Sequence, residues 1–449
     1  MIYILLIALI MMLAIAFICS KGDILSPWVI TCGVFIFSTL VATFNIEEWG
    51  FALSPITLIV VIGCLLAFGA GELTVSYAFD SRFSHAVNTQ RSQTHFSQKK
   101  PIHIPFVVLL LIFTFMAVAV LLYFKKTYEI SLLAGNPGGY DMLLKYARDY
   151  LLIPGNSLGK LYGHLHLICK MLEYVFIFVF LYNIVFFKFR PYYLLYLFPL
   201  GFYFIIGILG TGRTFFIEIL ASSVIMGFLF VKQRNNWSNK ETAVFIGFAV
   251  GAVTLFLVAF ALLGYLKGYY GQLKDAFDTI SFYAGMSIPS LDAYFASTPT
   301  ENVIFGEETL YGVHSILRAL GFDIPTMNRH LEFVNFNDVK GNVYTSIRRY
   351  INDYGIVATI TLQYGIGCFY NVLYKYIRYG RCSLFMIAIY SWFSYALVMQ
   401  SIDELLLSSY LSTTLVYSLA YLSILYYLFI YLPLQPVKEK RRVQRRIKA

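Results

Sequence analysis

Long apolar stretches recur along the whole chain, and they limit its fold more than any other feature. A helix that crosses a bilayer needs ~20 mostly apolar residues. Charged residues make up only 13% of the sequence and hydrophobic residues 59%, whereas a soluble domain has ~25% charged residues. This composition excludes a cytosolic enzyme, a disordered chain and a disulfide-rich secreted module. Eleven spanning helices are predicted, roughly at 2–19, 26–44, 55–79, 104–124, 163–187, 192–210, 214–231, 243–265, 355–377, 383–400 and 410–432.

The charges between these segments predict how the chain is oriented. The stretch from Lys438 to Lys448 has seven basic residues in eleven positions. Every second loop between the predicted spans lies on the same side of the membrane as this stretch. That side contains 20 of the 34 basic residues and 4 of the 24 acidic ones, and the rest of the chain contains 14 basic and 20 acidic residues. Because Lys and Arg concentrate in cytoplasmic loops, the N-terminus is predicted outside and the C-terminus inside. The net charge of +10 therefore reflects orientation, and no nucleic-acid partner is needed to explain it.

The predicted architecture is a single all-α transmembrane domain over 1–449, with about eleven helices (10–12) and a basic cytoplasmic tail at 433–449. Two outer loops are long: 125–162, with a predicted short helix near its middle, and 266–354. Loops of such length are usually functional or disordered. The larger one contains Tyr, Phe, Ile and Leu throughout, so we expect it to fold into short helices on the outer membrane face and to contribute to the functional site.

Three outer arginines stand on the face where the positive-inside rule disfavours them. Arg213 follows Gly212 in a very short outer connection, where it either presents its guanidinium to an anion or extends to the interface. Arg348 and Arg349 follow Asn342, which is predicted to cap a helix whose free N–H groups attract anions. The alternative for Arg349 is a local ion pair with Asp353, four residues on.

Candidate general bases lie in the same outer loop as Arg348 and Arg349. A base must be a histidine or carboxylate near the anion site, and the candidates are Asp353, Glu308 and His314. Each of them, taken alone, is more typical of a solvated loop residue. Within the membrane, Lys170 and Glu173 on the fifth span are expected to pair with each other.

Several kinds of chemistry lack their motifs. The chain has no GxxxxGK[ST] loop, HExxH helix, GxSxG elbow, GxGxxG fingerprint or Asp-x-Asp pair. Its six cysteines have no CxxC or Cys/His spacing, so neither a metal site nor a disulfide framework is predicted. An enzyme at the outer face therefore needs an already activated, membrane-borne substrate and no cofactor. A lipid diphosphate meets this requirement, because one guanidinium group can donate two parallel hydrogen bonds to phosphate oxygens.

These residues resemble those of the bacterial oligosaccharide repeat-unit polymerases, the Wzy-type O-antigen and capsule polymerases. The resemblance rests on Asn342-Val343-Tyr344-Thr345, Arg348-Arg349-Tyr350 and Asp353-Tyr354-Gly355, which follow a long outer loop and precede a span. Gly212-Arg213-Thr214 and Phe305-Gly306 with Thr309 support it. The general layout, with one large outer loop, extends the resemblance over almost the whole chain.

The resemblance implies a metal-independent glycosyltransferase of the C class (GT-C-like) in the bacterial cytoplasmic membrane. It would transfer a growing glycan from undecaprenyl diphosphate to the next lipid-linked repeat unit. Membrane lipid would surround the enzyme, and a flippase and a chain-length regulator of the same pathway would be its possible partners. The diphosphate would be bound by Arg213 and by Arg348 or Arg349. Asp353 would be the first choice of base, ahead of Glu308 and His314. The residues assigned to the sugars are Asn342, Tyr344, Thr345, Tyr350 and Arg318.

Two alternatives remain open at this point. One is an O-antigen ligase of the same fold, which transfers finished glycan to a lipid core. The other is a flippase or another transporter of lipid-linked oligosaccharide. Transporters place charges and broken helices near the bilayer midplane, so the location of the buried charges distinguishes the two classes.

Overall fold

The structure is a computed structural model, and the residues that it describes are mainly helical. It describes residues 1–90, 100–140, 142–153, 155–212, 214–238, 246–247, 250–251, 254, 276–297, 302–325, 331–337, 339–379 and 383–435. The helices are α1 Ile2–Cys19, α2 Pro27–Phe44, α3 Ile46–Trp49, α4 Pro55–Gln90, α5 Phe106–Leu133, α6 Leu143–Leu152, α7 Lys160–Phe186, a 3-10 helix Pro191–Leu197 that leads into α8 Phe198–Leu209, α9 Thr214–Arg234, α10 Ala276–Gly285, α11 Ser287–Ala296, α12 Tyr311–Ala319, α13 Ser346–Arg378, α14 Leu384–Met399, α15 Thr413–Tyr426, a π-helical turn Tyr427–Tyr431 and α16 Leu432–Leu434. One short antiparallel hairpin pairs β1 (Val334–Phe336) with β2 (Val339–Gly341).

Nine helices in the described ranges are long and apolar enough to cross a membrane. They coincide with nine of the eleven predicted spans. The tenth, α14, is apolar but has only 16 residues, and the predicted span 243–265 lies mostly outside the described residues. The prediction of an all-α, multi-pass membrane protein is confirmed.

The surface of the spanning helices is as apolar as their interior. On α1, Ile7 is 58% exposed and Ile18 is 74% exposed, and on α5 Val107 is 68% exposed. Contiguous apolar surface of this kind is unfavourable in water, whereas hydrocarbon tails cover it without cost. The exposed faces of α1 and α5 are therefore lipid-facing.

Close packing of α4 against α13 depends on glycines. A Cβ atom at Gly71 would overlap the carbonyl oxygen of Tyr364, and one at Gly367 would overlap the carbonyl oxygen of Phe68. Small residues let the backbones of membrane helices approach each other, which compensates for the absence of a hydrophobic driving force between helices in lipid. Gly71 and Gly367 therefore fix the distance between α4 and α13.

The chain forms two compact units. One consists of Met1–Thr94 with Val253–Leu415, and the other of His95–Ala252 with Val416–Ala449. The first contains α13 and the helices that pack on it. The second contains the paired helices α5–α8 and α7–α9.

At one end of the first unit, ion pairs join the loop after α1 to the ends of α4 and α13. Arg378 lies 3.1 Å from Asp23, and Asp23 accepts a 2.6 Å hydrogen bond from the Tyr374 hydroxyl. Glu72 accepts a hydrogen bond from the Trp28 amide at 2.8 Å, so it satisfies a free N–H group at the start of α2. This polar cluster closes the end of the unit opposite Arg349.

The long loop predicted at 266–354 contains short helices in its described part, as expected. Within it, α10 and α11 pack against α2, and the Ser287 hydroxyl lies 2.9 Å from that of Ser38. Asp292 on α11 accepts a hydrogen bond from the Ser54 amide at 2.8 Å, next to the start of α4. In the other long loop, α5 extends to Leu133, nine residues past the predicted end of its span, and α6 forms the predicted short helix.

Candidate functional site

The residues that suggested an anion site lie on a short helical segment ahead of a span. α13 begins at Ser346, with Thr345 as the residue before its first turn, and its backbone leaves helical geometry at Gly355 (φ 78°, ψ 171°). That positive φ suits glycine, and it separates residues 346–354 from the spanning part. The prediction that Asn342 caps this helix is wrong: three residues separate Asn342 from the first helical residue, because the chain is still extended there after β2.

Arg348 is buried among two carboxylates and two tyrosine rings. Its Nη1 donates to Glu308, and its Nη2 donates to Glu332 at 2.7 and 2.6 Å. The guanidinium carbon lies 4.7 Å from the ring centre of Tyr294 and 5.3 Å from that of Tyr344, within cation–π range. With 3% of its surface exposed, Arg348 joins α11 and α13 to the two loop segments that carry Glu308 and Glu332.

Arg349 has a different environment from its neighbour. Its Nε donates a 3.0 Å hydrogen bond to Asp403, and its Nη1 lies 3.7 Å from Glu308 Oε2. The remaining N–H groups of Arg349 make no hydrogen bond with the residues that the structure describes. The guanidinium is therefore oriented by acidic residues on one side and keeps donors for an oxyanion.

Glu308 lies between the two arginines. Its Oε1 accepts hydrogen bonds from Arg348 and, at 3.1 Å, from the Asn352 amide, whereas its buried Oε2 accepts none from the described groups. Burial raises the pKa of Glu308 above the ordinary value for glutamate, and the positive charges of Arg348 and Arg349 oppose that rise. A carboxylate with one unoccupied oxygen and a raised pKa is suited to accepting a proton.

Asp353 holds a turn in place. Its carboxylate accepts hydrogen bonds from the Glu308 amide (3.2 Å), the Thr309 amide (2.8 Å), the Thr309 hydroxyl (2.6 Å) and the Asn302 side chain (3.1 Å). These four donors occupy both oxygens, and they fix the loop that carries Glu308. The alternative of a local pair between Arg349 and Asp353 is wrong, because Arg349 pairs with Asp403 instead.

Asp403 and Glu404 also belong to the site, although no sequence motif marks them. Asp403 has 36% of its side chain exposed next to Arg349. Glu404 is buried and accepts hydrogen bonds from the Tyr350 hydroxyl (2.9 Å) and the Leu407 amide (2.7 Å). Burial raises the pKa of Glu404, and these hydrogen bonds oppose the rise. The signal that could have identified them is their position, since they are the only charged residues between the tenth and eleventh predicted spans.

Two further predicted site residues lie in α12. His314 is buried, and its Nε2 lies 3.0 Å from the carbonyl oxygen of Phe305, while its Nδ1 has no hydrogen bond with the described groups. Arg318 donates from Nε to the carbonyl of Ile324 at 3.0 Å and from Nη2 to that of Pro325 at 2.5 Å. Arg318 thus closes the loop after α12.

The residues assigned to the sugars lie mostly inside the protein. Tyr344 and Tyr350 are each 1% exposed, and Thr345 is fully buried. The Tyr344 hydroxyl donates to the carbonyl of Glu332 at 3.2 Å, and Asn342 is half-buried. The tyrosine rings therefore pack within the site, with Tyr344 stacked on Arg348.

Buried polar atoms at the start of α13 have no protein partner among the described groups. They are the side-chain oxygens Thr345 Oγ1, Ser346 Oγ and Gln400 Oε1. The Ser346 amide donates to the carbonyl of Gln400 at 2.9 Å, so Gln400 lies directly against this helix start. Buried polar atoms are normally hydrogen-bonded, and a polar ligand or water at this helix start would satisfy them.

Arg213, predicted to contact the diphosphate, lies outside the described residues.

The residues that the structure describes include no group of three or more His, Cys, Asp or Glu side chains that could hold a metal ion. Among the groups that the structure describes at the site, Arg349 is suited to anion binding and the Glu308 carboxylate to accepting a proton.

No protein-family model, no curated protein and no solved structure matches the chain.

Proposed function

We propose that the chain is an oligosaccharide repeat-unit polymerase with a GT-C-like fold of about eleven spans, and that it transfers glycan from undecaprenyl diphosphate at the outer face of the bacterial cytoplasmic membrane. The orientation of Arg349 by Asp403 and Glu308 carries the proposal. An arginine with unoccupied donors at the end of a membrane helix bundle matches a lipid-bound diphosphate, because the lipid chain stays in the membrane while the phosphates reach the surface.

In the proposed reaction, a hydroxyl oxygen of the acceptor repeat unit bonds to the anomeric carbon of the growing glycan. The bond between that carbon and the diphosphate oxygen breaks, and the electron pair leaves with undecaprenyl diphosphate. Arg349 neutralises the negative charge that develops on this leaving group. No metal or cofactor is needed, because the donor is already activated.

The proton of the acceptor hydroxyl goes to Glu308 in this proposal. Glu308 Oε2 accepts no hydrogen bond from the described groups, whereas both oxygens of Asp353 are occupied by donors. Arg348 then acts as a positioning residue, since it and the Asn352 amide both donate hydrogen bonds to Glu308 Oε1. His314 remains a second candidate base through its Nδ1.

The proposed setting follows from the charge distribution. The N-terminus is outside, the basic tail is cytoplasmic, and the Arg349 end of the first unit faces outward. A flippase of the same pathway supplies lipid-linked repeat units to that face, and a chain-length regulator is a further proposed partner.

A transporter of lipid-linked oligosaccharide is the second candidate, and one observation favours it. Lys170 on α7 and Glu218 on α9 form an ion pair at 2.6 Å within spanning helices. Charged residues within spanning helices are rare, and in transporters they mark substrate or ion pathways. A ligase of the same fold has no separate observation in its favour.

Purified protein in detergent, supplied with lipid-linked repeat units, separates the candidates because there is no membrane to cross. A ladder of glycan products together with released undecaprenyl diphosphate supports the polymerase. A single transfer to a lipid-core acceptor supports the ligase. Unchanged substrate in the presence of both acceptors contradicts glycosyl transfer and favours the transporter.

A further inference from the structure

The fifth spanning helix, α7, carries Lys160, Lys170 and Glu173, and the last two differ in their contacts. The expected pair of Lys170 with Glu173 is not formed: the Lys170 ammonium lies 2.6 Å from Glu218 on α9. Glu173 remains beside this pair with 2% of its surface exposed. Its Oε1 is buried and accepts no hydrogen bond from the described groups.

Glu173 lies far from both ends of a helix that crosses the membrane. α7 runs from Lys160 to Phe186, so at 1.5 Å per residue Glu173 is roughly 20 Å along the axis from the first residue. An ionised carboxylate in apolar surroundings is strongly disfavoured unless donors surround it. An ionisable residue at this depth is a candidate functional site.

We propose that Glu173 is a proton-binding site at membrane depth. The carboxylate takes one proton from water and becomes a neutral acid, and the neighbouring Lys170–Glu218 pair keeps its own contact. This site lies in the second unit and does not depend on the glycosyl-transfer proposal.

The neighbouring groups favour a proton over a metal cation. Lys170 and Glu218 are within electrostatic reach of Glu173, as are the hydroxyls of Tyr174 on the same helix and Tyr203 on α8. The Lys170 ammonium repels a second cation at this distance, and a metal ion needs several oxygen ligands. A proton needs only the one carboxyl oxygen.

The other helices around this cluster bring few titratable groups. α5 contributes Tyr123, which lies close to Tyr203, and α15 has no charged residue. His166, one helical turn from Lys170, lies 3.2 Å from the Tyr203 hydroxyl. His166 and Tyr203 therefore form a polar group next to Lys170 and Glu218, on the N-terminal side of Glu173 along α7.

A hydrophobic carbodiimide tests the proposal on the full-length protein. Dicyclohexylcarbodiimide reacts with protonated carboxyls in apolar surroundings: the acid adds across a C=N bond and rearranges to an N-acylurea that retains every atom of both reactants. Peptide mass spectrometry then reports the modification residue by residue. We expect modification of Glu173 at acidic pH that falls several-fold as the pH rises, with Glu218 modified much less because Lys170 binds it.

Infrared spectroscopy gives a second readout that needs no reagent to reach the site. The wild-type spectrum minus that of Glu173→Gln should contain a carboxylic acid C=O band that disappears at high pH. Detection of this band supports the proposal even if the carbodiimide does not reach Glu173. Absence of both the band and the modification overturns it. Modification that does not vary with pH, or that sodium ions prevent at constant pH, also overturns it.

Discussion

Arg349 and Asp403 lie 54 residues apart in the chain, and the Nε of Arg349 donates a 3.0 Å hydrogen bond to Oδ1 of Asp403. The contact joins the first turn of α13 to the loop after α14. Asp403 thus occupies Nε, and Nη1 lies 3.7 Å from Glu308 Oε2. The two carboxylates thereby position the guanidinium of Arg349, the candidate anion ligand.

Arg348 should matter for stability more than for substrate binding. Replacing it with alanine leaves Glu308 and Glu332 without their cation, and loss of one partner of a buried pair costs about 3–5 kcal/mol. We expect a clear fall in the midpoint of thermal unfolding in detergent. Glu332→Gln is the matched control: its side chain is 49% exposed, so we expect a cost of about 1 kcal/mol or less. Equal effects of the two substitutions would contradict the account of Arg348.

The α4–α13 contact predicts opposite outcomes for two glycines on one helix. Gly367→Ala places a Cβ on the carbonyl oxygen of Phe68, whereas Gly365→Ala meets nothing within 4 Å. Overpacking costs about 1–3 kcal/mol, so Gly367→Ala should unfold at a lower temperature than wild type. Gly365→Ala should match wild type or exceed it, because alanine favours helix. A stable Gly367→Ala protein with unchanged helix packing would rule out this contact.

Glu404 should make stability depend on pH. Burial raises its pKa in the folded protein, while the unfolded chain has the ordinary value of about 4.3. The stability that protonated Glu404 contributes is therefore complete below that value and is lost as the pH rises through the folded pKa. As the pH rises from the unfolded pKa through the folded pKa, the midpoint of thermal unfolding should fall less steeply in Glu404→Gln than in wild type. The same slope in both proteins would show that Glu404 does not titrate in that window.

The orientation can be checked with reporters at two positions predicted from charge. A reporter fused after Lys448 should be active only in the cytoplasm, and one inserted near residue 300 should be active only outside. The positive-inside rule supplies the reason, since seven basic residues lie between Lys438 and Lys448. Reversed activities would place the Arg349 end in the cytoplasm, where it could not meet an exported lipid-linked glycan.

The membrane fold could be predicted from the sequence because hydropathy acts locally. Each span is a continuous apolar run, and nine of the eleven expected helices are present in the described part of the chain. The break at Gly355 was not predicted, although Asp353-Tyr354-Gly355 ends the polar part of the helix. A glycine alone does not distinguish a break from a close helix contact such as that of Gly367.

The partners of the charged residues could not be predicted, because they depend on tertiary structure. Local spacing suggested Arg349 with Asp353, four residues apart, and Lys170 with Glu173, three residues apart. In the structure Arg349 binds Asp403 and Lys170 binds Glu218, both on other elements. Spacing on one helix allows a pair worth only about 0.2–0.5 kcal/mol, so contacts with neighbouring elements decide which pair forms.

Substitution of Arg349 in the purified assay tests the central proposal most directly. Arg349→Gln should reduce glycan ladder formation and release of undecaprenyl diphosphate by about 10²–10³-fold, the usual effect of removing one charge-stabilising group. Arg378→Gln is the control: it removes an arginine from the other end of the same helix, where it pairs with Asp23 at 3.1 Å, and it should retain activity. With folding verified for both, full activity in Arg349→Gln would contradict the assignment of the site.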